Sequence, residues 1–427
     1  MKRVLIVNSN SINIGNATGI TLQSILSRLN PENLMELYWN KSACLNGNVK
    51  LKSIVLEYAP ISLAALISNS KGKRISKKIK TDINSSDFRE HGNRKIISHI
   101  RQFISLQTDL SKVRLTQKNL EEIRAFNPEV IYTLGGGVAS LKMSYSLSLK
   151  LNIPVVIHFM DNWRHCIQWE DNPLLAHYKK QLRKYCNLCY TRSRECIAIS
   201  PQMAQVYTKE TGVHHSTLMN SVNVDEFYCE PRKKDGVFKF VYAGGLHLGR
   251  EKGLYEIGKA IHKAAENKGI SAELLIYTSP ENIEVYKDVF KELPEVKFAK
   301  SVPHNEIKKV LSDADFLVHT ESDALIGNGF FKYSISTKIP EYLSSGRPVL
   351  FYGPSDIYLY EFLNKFGVAI TASDKNILYD RIADMLDGKY DAMPEKAYFY
   401  AKDHFDTVSS VDLFCNIINN SELETEQ

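Results

Sequence analysis

Short, almost unbroken apolar runs alternate with stretches of helical periodicity along most of this chain. In the first half the runs are Val4–Asn8, Val130–Leu134, Val155–Phe159, Cys196–Ser200 and Thr217–Met219. In the second they are Phe238–Tyr242, Glu273–Thr278, Val296–Phe298, Phe316–His319, Val349–Tyr352 and Val368–Ile370. Such runs suit strands buried on both faces, and helices between them suit parallel sheets covered on each side. Two series predict two sheets. Between them, around residues 221–237, Asp225-Glu226-Phe227 gives way to the polar stretch Glu230-Pro231-Arg232-Lys233-Lys234-Asp235-Gly236, which reads as a linker. The pattern predicts an α/β protein with units at 1–225 and 226–397 and a helical tail over 398–427. Residues 60–115 lack strand periodicity and read as an irregular or helical insertion.

A chain of 427 residues with 44% hydrophobic content can bury two cores of ordinary size. Met1-Lys2-Arg3 runs into Val4-Leu5-Ile6-Val7, an apolar run too short for a signal peptide and lacking a small-residue cleavage site. The stretches around 61–67 and 154–159 fall short of the ~20 residues of a membrane-spanning helix. Seven cysteines, an odd number, fit a reducing compartment better than a disulfide scaffold. A cytoplasmic location is therefore expected.

Net charge is +6, unevenly spread: residues 71–80 carry six cations and no acid, and Arg89, Arg94, Lys95 and Arg101 extend the bias. One reading is a solvated loop. Another is attraction of 71–101 to anionic lipid headgroups, about 1 kcal/mol per cation near a surface. Without interleaved aromatics or a binding motif, nucleic acid is not an expected partner.

The most informative segment is 334–350. Ser336 or Thr337 can cap a helix, Pro340 fits its first turn, and Gly346 with Pro348 stops it before the buried strand at Val349. Free amides and the positive end of the helix dipole make such a start an anion site, to which Lys338 adds a full charge. Glu341, one turn further in, is placed to accept from the vicinal hydroxyls of a sugar. A phosphate beside a ribose fits both features. The alternative is an amphipathic helix with Ile339, Tyr342 and Leu343 inward and Glu341 in solvent.

After the strand Phe238–Tyr242 comes Ala243-Gly244-Gly245-Leu246-His247-Leu248-Gly249-Arg250-Glu251-Lys252-Gly253, then a helix through Ile257, Ala260 and Ile261. Gly244 and Gly245 let backbone approach a ligand, and Arg250 and Lys252 supply charge for a diphosphate. An exposed Gly-rich turn is the plainer reading. His158, at the end of the strand Val155–Phe159, has an ordinary pKa near neutrality that suits proton transfer, with Asp161 three positions on. A lone histidine at a strand end is more often a satisfied structural residue.

Together these segments resemble the retaining glycosyltransferases of the GT-B fold, those of glycosyltransferase family 4. Ser336-Thr337-Lys338-Ile339-Pro340-Glu341-Tyr342-Leu343 is similar to the family's nucleotide-binding helix, whose glutamate holds the ribose. Lys252-Gly253 match its Gly-rich donor loop, with Gly245 where a basic residue is usual and Arg250 as a substitute. Thr18-Gly19, after the opening strand, resemble the small pair that contacts the donor. His158 and Asp161 resemble positions near the acceptor pocket, while Ser200-Pro201 and Asn220-Ser221-Val222-Asn223-Val224-Asp225 resemble the elements that end the first domain.

The resemblance implies two Rossmann-like domains facing a central cleft, with the C-terminal helix crossing back to the first. It implies transfer of a sugar from a nucleotide-diphosphate sugar, a UDP-sugar above all, to a saccharide or polyprenyl-linked acceptor. The basic 71–101 region adds the expectation of a lipid-linked acceptor and peripheral association at the inner membrane face, as in capsule or O-antigen assembly of bacterial surface polysaccharide. Retention follows from the same likeness; no D-x-D-like dyad stands at a strand end, so no catalytic metal is expected, and no cofactor beyond the donor.

One departure stands out: Tyr333 occupies the position of the family's second glutamate, eight residues before Glu341. A nucleotide-binding protein without turnover, or a nucleotide-sugar epimerase of the same fold, therefore stays open. Gly327–Lys332 is flexible enough to close over a ligand. Cys186-Asn187-Leu188-Cys189 lies in a helical pattern and reads as core rather than zinc, since no second pair stands at ligand spacing.

Overall fold

A computed structural model describes residues 1–41, 47, 49–59, 103–166, 175–232, 236–322 and 329–423. The basic 71–101 region, most of the 60–115 insertion and the start of the Gly327–Lys332 segment lie outside them. The chain forms two compact units, Met1–Leu218 with Val411–Gln427, and Met219–Ser410.

The first unit is built on a parallel seven-stranded sheet, in the order β3-β2-β1-β6-β7-β8-β9. Its strands are β1 (Val4–Val7), β2 (Leu34–Tyr38), β3 (Lys52–Val55), β6 (Val130–Leu134), β7 (Val155–Phe159), β8 (Glu195–Ala198) and β9 (His214–Thr217). Every residue of β1 and β7 is buried, as strands covered on both faces require. A small antiparallel pair, β4 (Glu57–Tyr58) with β5 (Val113–Arg114), lies beside it in sequence.

Two of these strands escape the apolar-run criterion. In β2, Glu36 interrupts the run, yet it is 2% exposed. Its carboxylate accepts from the hydroxyls of Ser11 (2.9 Å) and Ser53 (2.8 Å) and from the Ile12 amide (3.0 Å). Burial of a carboxylate is tolerable when donors satisfy it in this way. Edge strand β3 buries only Ile54. The run expected at Thr217–Met219 pairs three residues earlier, because polar His214 and Ser216 register with Glu195 and Ile197.

The second unit carries a parallel six-stranded sheet, in the order β12-β11-β10-β13-β14-β15. Here β10 is Val237–Ala243, β11 Ser271–Thr278, β12 Val296–Lys300, β13 Phe316–Thr320, β14 Val349–Tyr352 and β15 Ile370–Ala372. The helices Arg250–Lys268 and Lys375–Leu386 bury Leu254, Ile257, Ile261, Leu378 and Ile382 in one apolar cluster with β10 and β11. The helices Lys338–Ser344, Tyr358–Phe366 and Met393–His404 contribute Tyr342, Leu343, Phe362 and Ala401 to another.

The units divide ahead of the polar 221–237 stretch. Val222 and Val224 belong to the second unit's core, and Val222 exchanges backbone hydrogen bonds with Phe405 and Thr407. The tail from residue 398 is two helices rather than one. Met393–His404 packs in the second unit, and Thr407–Asn420 carries Phe414, Ile417 and Ile418 into the core of the first.

In each sheet the strand order reverses once, between β1 and β6 and between β10 and β13. The carboxyl ends of strands flanking such a reversal are where open α/β sheets place ligands.

Candidate functional site

At the reversal in the second sheet, β10 ends on Tyr242-Ala243 and β13 on His319-Thr320. The Tyr242 hydroxyl donates to the Gly245 carbonyl at 2.7 Å, turning the chain sharply out of the strand. The Ala243 amide donates to the Tyr342 hydroxyl at 3.0 Å, which ties the end of β10 to the helix Lys338–Ser344. Lys338 lies against this turn: a Cβ on Gly244 would stand 2.8 Å from its ammonium nitrogen. A Cβ on Gly245 would stand 2.5 Å from the His247 ring. The glycines thus make room for Lys338 and His247 of the site itself, a use not foreseen in reading them as ligand approaches.

Arg250, first residue of its helix, is 9% exposed and forms a bidentate ion pair with Glu321, the residue that follows β13. Nη2 lies 2.9 Å from Oε1 and Nε 3.2 Å from Oε2. The Phe331 ring lies beside the guanidinium at 5.9 Å. Glu321 also meets His319 Nε2 at 3.1 Å. Burial works against a charged Glu321, but Arg250 and His319 outweigh it and hold the carboxyl well below its ordinary range. Lys338 is pushed down to about 8, by burial first and then by the neighbouring Arg250 charge, with Glu321 and Glu341 opposing. Two cations and one carboxylate therefore share the carboxyl edge of β10 and β13.

The helix Lys338–Ser344 is buried from Ile339 to Ser344. Its start differs from the sequence reading. Thr337 is already in helical conformation and does not cap, whereas Ser336 Oγ accepts from the Lys338 amide at 3.4 Å and the Ser336 carbonyl from the Ile339 amide at 3.0 Å. With those amides engaged, Lys338 rather than the free helix end supplies the positive charge. Glu341 is not in solvent: it is 7% exposed and its Oε1 meets His304 Nε2 at 2.8 Å. His304 precedes the helix Ile307–Ser312, and the hydrogen bond to Glu341 raises its pKa against the effect of burial. Lys252, on the same first turn as Arg250, is exposed. It makes no side-chain hydrogen bond or ion pair among the described residues.

Thr18, Gly19, His158 and Asp161 belong to the first unit. Asn16 caps the helix Ala17–Leu26 by accepting from the Gly19 amide at 2.9 Å, and any Cβ on Gly19 would collide with the Ile14 carbonyl. Thr18 is half-buried. His158 has no exposed surface and its Nδ1 meets the Tyr132 hydroxyl at 2.7 Å. Burial pushes its pKa down to about 3, only partly offset by the Leu218 carbonyl. The direct proton-transfer role read from the sequence is therefore replaced by a core role. Asp161 is half-buried in the following loop.

Sequence reasoning missed Glu321 and His304. Glu321 had a local signal, a carboxylate directly after a fully buried strand at a topological reversal; His304 had none. It also passed over Gly135-Gly136-Gly137 after β6, where Trp163 packs on Gly136 and Tyr178 and the Val138 amide both donate to Asp109. Cys186 and Cys189 are fully buried in the helix Ala176–Tyr190, where burial pushes both thiols up, that of Cys186 to about 12. Among the described residues no group of three or more His, Cys, Asp or Glu could hold a metal ion, and no helix is long and apolar enough to cross a membrane.

No protein-family model and no curated protein sequence matches the chain. Solved structures do share its architecture over essentially the whole length. The HepE protein of Anabaena in complex with UDP superposes with a TM-score of 0.62 at 15% identity, covering 98% of this chain and 100% of that one. Sucrose-phosphate synthase from Thermosynechococcus elongatus gives 0.63 at 12% identity, covering 97% and 98%. The trehalose 6-phosphate synthase of Burkholderia multivorans gives 0.61 at 10% identity, covering 98% of each. The fold is GT-B, with two Rossmann-like domains.

Proposed function

We propose that this protein is a glycosyltransferase that holds a nucleoside-diphosphate sugar at the carboxyl edge of β10 and β13. The observation that carries the reading is the gathering of Arg250, Lys338 and Glu341 at one reversal of the second sheet. Arg250 and Lys338 face the charge that grows on a diphosphate as its bond to the sugar breaks, and Glu341 accepts from ribose hydroxyls. Lys252 adds a further cation on the first turn of the Arg250 helix. Fixed charges of this kind act strongly in a partly dry site, and loss of one typically costs about 10²–10³ in rate.

UDP is the preferred nucleotide in this reading, supported by the HepE complex. The acceptor is a saccharide or polyprenyl-linked saccharide of bacterial surface polysaccharide, taken at the inner face of the membrane by the first unit. Transfer proceeds with retention and without metal, the departing phosphate taking the acceptor's proton. His158 has no part in it.

A second reading is nucleotide-sugar epimerisation, since a UDP-N-acetylglucosamine 2-epimerase-like protein of Listeria monocytogenes shares the fold at a TM-score of 0.51 and 12% identity, covering 98% and 96%. That chemistry requires carboxylates as acid and base, whereas Glu321 is held by Arg250 in an ion pair and Glu341 is engaged by His304 in a hydrogen bond. The test is UDP binding by calorimetry, followed by UDP release from UDP-sugars with and without acceptor saccharides. Glu341→Ala and Arg250→Ala should each abolish transfer in folded protein. Full activity in either variant overturns the proposal, and sugar inversion without acceptor supports the epimerase.

A further inference from the structure

Lys338 meets charged or titratable groups from each element packed around it. Arg250 comes from the helix after β10, Glu321 and His319 from the end of β13, His247 from the Gly-rich turn, and Glu341 from its own helix. The Tyr242 ring lies at 5.8 Å from its ammonium. In this set Glu321 is the carboxylate that bonds directly to Arg250, on two oxygens, while itself only 8% exposed. Glu341 is directed to His304.

Without the Glu321 charge, buried Arg250 would lose the carboxylate that it meets on two oxygens while standing beside a second cation. Electrostatics would relieve that state in two ways: the guanidinium would move toward water, and Lys338 would give up its proton. Both losses fall on the groups assigned to the diphosphate. We infer that Glu321 is a positioning residue, which fixes the Arg250 guanidinium at the strand edge beside Lys338. The site thereby presents two cations beside two buried carboxylates, Glu321 and Glu341. This rests on the reading that the edge of β10 and β13 receives a diphosphate. It also supplies a charge role at this site distinct from that of the family glutamate whose position Tyr333 occupies.

The experiment follows UDP affinity by calorimetry between about pH 7 and pH 9.5, a range in which the ordinary lysine pKa near 10.4 contributes little. In the wild type the affinity falls as pH rises through about 8, where Lys338 loses its proton. In Glu321→Gln the fall moves at least one unit lower, so that above the midpoint affinity drops about tenfold below wild type. Glu321→Asp keeps the charge and returns the fall to the wild-type pH. Because Glu321→Gln removes the charge that the buried guanidinium pairs with, a second measurement reads Lys338 directly: its acylation rate against pH, followed by mass spectrometry of the intact folded protein. The labelling midpoint lies near 8 in the wild type and in Glu321→Asp, and lower in Glu321→Gln. Unchanged midpoints and an unchanged UDP profile in Glu321→Gln, with Lys338→Met still abolishing UDP binding, overturn the inference and leave the nucleotide site standing. A wild type that binds no UDP removes that site, and this role with it.

Discussion

His304 Nε2 and Glu341 Oε1 lie 2.8 Å apart, so the carboxylate assigned to ribose is already engaged by an imidazole from the turn after β12. The hydrogen bond raises the His304 pKa above its ordinary value. A histidine whose folded pKa exceeds its unfolded one stabilises the protein fully below the unfolded value near 6.5 and loses that contribution as pH rises through the folded value. His304→Ala should therefore melt below wild type most clearly under mildly acidic conditions, with the gap narrowing toward alkaline pH. Thermal unfolding at stepped pH checks this, and a gap constant with pH would refute it.

Lys338 is predicted to be a functional group held at a stability cost. Its pKa lies at about 8 in the folded chain against 10.5 when unperturbed, so folding there opposes the ammonium. Between those values the unfolded chain binds more protons, and wild-type stability should rise with pH. Lys338→Met removes the penalty and should stabilise the protein at neutral pH by about 1–2 kcal/mol while abolishing UDP binding. The stability gain should shrink as pH climbs from about 8 toward 10.5. Denaturant titrations at neutral and alkaline pH measure both trends.

The parts of this fold that could be read in advance are those whose signal is local. Strands β1, β6, β7, β13 and β14 are almost unbroken apolar runs, and Lys338, Glu341 and Arg250 sit at a strand-to-helix turn or helix start that residue type alone marks. What stayed hidden depends on partners distant in sequence. Glu36 looks like a surface residue until Ser11 and Ser53, 25 and 17 positions away, supply its donors. Arg250 and Glu321 are 71 positions apart, and His304 and Glu341 are 37 apart. No periodicity encodes such pairs, so the sequence marked the cations and not the carboxylate that places them.

Phe414 should prove the anchor of the last helix. It is 1% exposed, its ring meets Tyr132 of β6 edge-on at 5.4 Å, and it packs with Ile417 and Ile418 in the first unit's core. Phe414→Ala leaves a cavity there and should cost about 3–5 kcal/mol. Val408→Ala, at an exposed position of the same helix, should be nearly neutral. Chemical denaturation of the two variants separates core anchoring from helix propensity.

Gly253 offers a sign test of how closely the Arg250 helix approaches β13. Alanine in place of glycine inside a helix ordinarily gains about 0.5–1 kcal/mol. Here a Cβ would collide with Thr320 Oγ1 and stand 3.0 Å from Thr320 Cβ. Gly253→Ala should therefore destabilise by about 1–3 kcal/mol and displace Arg250, three residues back on the same turn, weakening UDP binding as well. The Thr320 hydroxyl is buried without a hydrogen-bond partner among the described residues, so Thr320→Ala alone should cost little. Combining the two substitutions removes the colliding oxygen and should recover most of the lost stability and affinity, a coupling that a double-mutant cycle measures. Additive effects in that cycle would mean that helix and strand do not meet at this glycine, and the placement of Arg250 would lose its support.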